Sequence, residues 1–134
     1  MTLTTLGIKP IALKTSPENG FMPTVEDCRA LITEKTKAIA LVSPNNPTGA
    51  VYPHALLEDM FKLAQEHKVA LILDETYRDF ITGERPHTLF SKPWRTNLVH
   101  LYSFSKVPID SKCSRCHFLT KLLLYSPIAS RDSA

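Results

Sequence analysis

Lys106 stands just past an apolar run, Asn97-Leu98-Val99-His100-Leu101-Tyr102, and behind the hydroxyls of Ser103 and Ser105. A lysine amine whose pKa is pulled down forms Schiff bases with aldehydes. A pyridine-ring cofactor held as an electron sink needs a carboxylate at its ring nitrogen. It also needs donors at its phenolic oxygen and at its phosphate. Asp74, Tyr77, Asn46 and Ser103 are groups of those kinds, and they come in sequence with Lys106. Each has a plainer reading alone. A lone lysine is usually a solvated surface residue, Asn46-Pro47-Thr48-Gly49 suits a turn for backbone reasons, and Asp74-Glu75 could cap a helix or close a strand. The chemistry therefore rests on what brings them together.

The pattern of the chain supplies that. Leu6 to Leu13 reads as extended, with Pro10 interrupting it, and Thr15 to Gly20 reads as a turn. Thr24 is a helix N-cap with Asp27 three residues on, in a capping-box arrangement. Val25, Cys28, Leu31 and Ile32 then share one helical face. Lys37 to Ser43 and Val69 to Leu73 are short apolar runs with the look of buried parallel strands. Between them Pro53 can open a helix at its first position, with Leu57, Met60, Phe61 and Ala64 as its apolar stripe and an end near His67. Residues 78–96 carry Gly83, Pro86 and Pro93 and read mostly as loop; Leu98 to Tyr102 is a third strand. The connection over 44–68 has the spacing of a right-handed βαβ crossover. Open α/β sheets bind ligands beyond the carboxyl ends of their strands. Asn46 with Thr48, Asp74 with Tyr77, and Ser103 with Lys106 each fall beyond one such end.

Bulk properties bound the rest. The chain has 134 residues and a net charge of +3, enough for one domain with a real core. Its basic residues are scattered, so no nucleic-acid partner is expected. No apolar run reaches membrane-spanning length, and the first residues lack the pattern of a signal peptide. The odd count of three cysteines fits a reducing compartment, so a cytoplasmic location is expected. The histidines and cysteines offer no paired zinc spacing, and no metal site is expected.

The stretches "SPNNPTGAVY", "LILDETYRDF" and "LYSFSK" resemble the successive motifs of the class I/II aminotransferases, the fold type I enzymes that use pyridoxal 5'-phosphate (PLP). The resemblance runs from Leu6 to Lys106, in family order. It implies an incomplete part of the large PLP-binding α/β domain, with a mainly parallel sheet and flanking helices. It implies that Lys106 is catalytic and forms the internal aldimine with PLP, then shuttles the proton at the substrate α-carbon. Asp74 would pair with the pyridine nitrogen, Asn46 and Tyr77 would bond the phenolic oxygen, and Ser103 would touch the phosphate. Substrates would be amino acids and 2-oxo acids. Lyases and other chemistries on the same fold share these motifs. Relatives are homodimers with sites shared between subunits.

The resemblance stops after Lys106. Arg115 lacks the flanking glycines of the family's phosphate-binding arginine and is out of register with it. Residues 1–106 are thus expected to be a partial large domain and 107–134 a divergent tail that does not match the family. The tail's Cys113-Ser114-Arg115-Cys116-His117 spells the haem-attachment pattern, but no export signal accompanies it, and it reads as coincidence. The substrate-carboxylate arginine and the ring-stacking aromatic of the family are also missing. Two functions follow from the sequence. One is a transaminase; the other is a non-catalytic remnant that binds PLP weakly or associates with a full-length relative. The absent arginines argue against turnover by this chain alone.

Overall fold

A computed structural model describes residue 4 and residues 7–83, 89–91, 97–103 and 106. The tail expectations, including the Cys113–His117 pattern, lie outside the described residues.

Alternating Ile, Leu and Val residues make three short parallel strands: β1 (Ala38–Val42), β2 (Ala70–Asp74) and β3 (Leu98–Leu101), in the order β1-β2-β3. Val42 pairs with Asp74, and Asp74 pairs with Leu101, so the carboxyl ends of all three strands are level. Two helices precede β1 and β2: α1 (Val25–Leu31) and α2 (His54–Glu66). Single 3-10 turns occupy Pro17–Asn19, Arg78–Phe80 and Leu89–Ser91.

The core is built on one face of the sheet. Leu57, Met60, Phe61, Leu63 and Ala64 of α2 are buried, together with Ile39, Leu41, Leu71, Leu73 and Leu98 of the strands. Each large side chain of this kind contributes roughly 1.5–3 kcal/mol when fully buried. Cys28 of α1 joins the same cluster, and burial raises the pKa of its thiol. The two faces differ. Ile39 and Leu41 are buried while Ala38 and Ala40 are exposed, and Leu71 and Leu73 are buried while Ala70, Ile72 and Asp74 are only half-buried. The strands were expected to be buried throughout; among the described residues only one face is covered.

Several local expectations are refined. Thr24 caps α1, and its Oγ1 accepts from the Asp27 N–H at 3.1 Å. The same hydroxyl donates to Asp27 Oδ2 at 2.7 Å, a closed local pair instead of the reciprocal backbone bond of a capping box. Of the expected apolar face, Val25, Cys28 and Ile32 pack on the core, while Leu31, the last residue of α1, is exposed at 39%. Pro53 is the N-cap of α2 instead of its first helical residue, since its ψ of 151° is extended. Tyr102 falls just outside β3. The described part of Leu6 to Leu13 forms no strand, and only Leu13 of it packs against the core.

Candidate active site

The strand alternation continues one residue past each of the first two strands. Ser43 follows Ile39 and Leu41 onto the covered face and is 2% exposed. Its N–H donates to the Asp74 carbonyl at 3.0 Å, extending the ladder. Its Oγ accepts from the Tyr52 N–H at 2.9 Å, which draws the far side of the following loop back to the strand. Within that loop, Gly49 adopts a φ of 74°, a left-handed conformation that glycine takes without strain. The Asn45 N–H donates to the Ala50 carbonyl at 2.8 Å, and Asn45 Oδ1 accepts from Thr48 Oγ1 at 2.8 Å. Asn45 and Thr48 are thus spent on closing the loop. Asn46 is left exposed at its tip.

At the end of β2, Asp74 Oδ1 accepts from both the N–H and the Oγ1 of Thr76, at 2.9 and 2.7 Å. This fold-back starts the turn that leads into Arg78–Phe80 and carries Tyr77. Asn46 Nδ2 donates to the Tyr77 hydroxyl oxygen at 3.2 Å, across 31 residues of sequence. Two of the three strand ends therefore meet through side chains. The Tyr77 oxygen accepts here, so its own proton remains for another acceptor.

At the third end, Ser103 is half-buried and Lys106 is exposed. Lys106 forms no hydrogen bond or ion pair with the described residues, so the structure joins Asn46 to Tyr77, with Asp74 at the start of the turn that carries Tyr77, but gives no direct contact from Lys106 to that group. Tyr102 donates its hydroxyl to Asp79. That bond, with burial adding to it, holds the phenol above its ordinary pKa.

Sequence reasoning missed the residues beneath this surface. Glu75 is 1% exposed. The signal was available: Leu71, Leu73 and Glu75 share a face by the two-residue period of a strand.

A sequence model of the family described as "Aminotransferase class I and II" matches residues 2–107. The chain belongs to that family. It is 48% identical over 71 residues to an aspartate/prephenate aminotransferase of Thermus thermophilus, covering 53% of this chain and 18% of that protein. It is 37% identical over 81 residues to an alanine aminotransferase of Mycobacterium tuberculosis, covering 60% and 19%. Among solved structures it is similar to the aspartate aminotransferase from Thermus thermophilus with maleate, at a TM-score of 0.64 and 37% identity over 70% of this chain and 24% of that one. An alanine aminotransferase from Pyrococcus furiosus gives a TM-score of 0.67 at 35% identity, covering 78% and 26%. The chain thus spans about a fifth of the length of these curated relatives. The α/β architecture expected from the motifs is the one shared with these structures.

Proposed function

We propose that this chain carries the cofactor-facing strand ends of a PLP-dependent transaminase that acts on amino acids and 2-oxo acids. The observation that carries the reading is the 3.2 Å bond from Asn46 to Tyr77, made at level strand ends by a chain of this family. The donor set fits the group. A phenolic oxygen suits the Asn46 amide and the remaining Tyr77 proton, a pyridine nitrogen suits a half-buried carboxylate, and an aldehyde suits an exposed amine.

When bound, PLP supplies an aldehyde carbon and a ring that withdraws electrons. Asp74 would hold the ring nitrogen protonated, with its Oδ1 fixed by Thr76. Asn46 and Tyr77 would stabilise negative charge at the phenolic oxygen. Ser103 would donate to the phosphate. Lys106 would supply the amine that meets the aldehyde, and when displaced by substrate it would take the proton from the substrate α-carbon and return it as a general acid. In this reading residues 1–106 are a part of the large domain, residues 107–134 are a divergent tail, and the setting is cytoplasmic. The aspartate and alanine named for the relatives are the first amino donors to try.

The test is the visible spectrum of the purified chain with PLP beside a Lys106→Ala variant. A band that only the wild type shows is the expected result. No Lys106-dependent band would overturn the assignment and leave a non-catalytic relative of the family.

A further inference from the structure

The burial of Glu75 is the feature that the proposed chemistry leaves unused. Adjacent carboxylates at the end of β2 point to opposite faces. Asp74 lies on the half-open face, and Glu75 continues the covered face below Leu71 and Leu73. A carboxylate buried to this degree is costly unless it is partnered. Glu75 Oε2 lies 2.8 Å from His100 Nε2 of β3, a close polar contact instead of an aligned hydrogen bond. The same oxygen accepts from Arg78 Nη1 at 3.4 Å. The Glu75 N–H donates to the Leu101 carbonyl at 2.8 Å, and the Glu75 carbonyl accepts from the Arg78 N–H at 3.0 Å. The His100 ring is itself braced by Phe90, stacked at 4.2 Å and 25°.

Glu75 therefore fastens both ends of the segment that carries Tyr77. On one side it holds β3, through the backbone and through His100; on the other it holds Arg78, the first residue of the turn after Tyr77. We infer that Glu75 is a positioning residue: with His100 and Arg78 it fixes the 76–80 turn and so keeps the Tyr77 hydroxyl against Asn46. Its value for cofactor binding rests on the function proposed above; its hold on the turn does not. The charge and the two-sided reach both matter. Glutamine keeps the size of the side chain and one acceptor oxygen but loses the negative charge, so it weakens the charge-assisted bond from Arg78 and the polar contact with His100.

Two measurements on the 134-residue chain test this. In Glu75→Gln, backbone amides of residues 76–80 should exchange with solvent at least tenfold faster, while those of Leu71 to Leu73 keep their rates. Unchanged rates over 76–80, or an equal rise in β2, would overturn the inference, whether or not PLP binds. His100→Gln removes one arm only and should give a smaller effect confined to the same turn; it stands in if Glu75→Gln does not fold. The second measurement is PLP affinity in a double-mutant cycle. Glu75→Gln should weaken binding about tenfold when Tyr77 is present and less than threefold in Tyr77→Phe, because the two residues act through one hydroxyl. Equal losses in both backgrounds would show that Glu75 does not act through Tyr77. A wild type that shows no PLP binding would strike at the proposed function and leave the exchange result to decide on Glu75.

Discussion

At the scale of single residues, the strand ends separate groups that hold structure from groups that are left to act. Asn45, Thr48 and Thr76 spend their polar atoms inside their own loops. Asn46 and Tyr77 share one bond across the sheet end, and the Tyr77 proton is left to act. Tyr102 gives a residue-level prediction. Its bond to Asp79 favours the protonated phenol and raises its pKa in the folded chain. A raised folded value contributes stability that is complete below the unfolded phenol value of about 10 and is lost as pH climbs through the folded value. Urea unfolding followed between about pH 8 and pH 12 should therefore show a steeper alkaline loss in wild type than in Tyr102→Phe. Parallel curves would mean that the phenol does not contribute in this way.

At the scale of elements, α2 organises the core. It puts Leu57, Met60, Phe61, Leu63 and Ala64 against the covered face of the sheet. Leu57 has no exposed surface and belongs to that cluster. Leu57→Ala should cost about 2–5 kcal/mol through lost burial and an unfilled cavity. The far-UV circular dichroism midpoint in urea reads this directly, and a midpoint unchanged from wild type would place Leu57 outside the working core. The short α1 depends more on its cap, where Thr24 and Asp27 bond each other in both directions.

At the scale of the molecule, the sheet is left open in two ways among the described residues. β1 and β3 each pair with β2 alone. The face bearing Ala38, Ala40 and Ile72 carries no helix. Unpaired edges invite further strands, and an open apolar face lowers the stability that a full second layer would give. Such a chain should sit at the low end of the usual stability range of about 5–15 kcal/mol, and it should associate as its concentration rises. Sedimentation velocity over a range of concentrations checks this; a monomer throughout would show that the edges are protected.

The sequence by itself determined the elements and their order, because period-two and helical patterns and the Pro, Gly and Asn turn residues act locally. It also marked Asn46, Asp74, Tyr77, Ser103 and Lys106 as groups lying beyond strand ends, since each comes at or shortly after the end of an apolar run. What it could not determine depends on register between strands that are distant in sequence. Only the pairing of Val42 with Asp74 and of Asp74 with Leu101 levels the three ends. That level brings Asn46 to Tyr77 and sets His100 beside a buried Glu75. The same register decides which face α2 covers, and so why neighbouring carboxylates, Asp74 and Glu75, take opposite roles: one at the open edge of the site, the other beneath it as a brace.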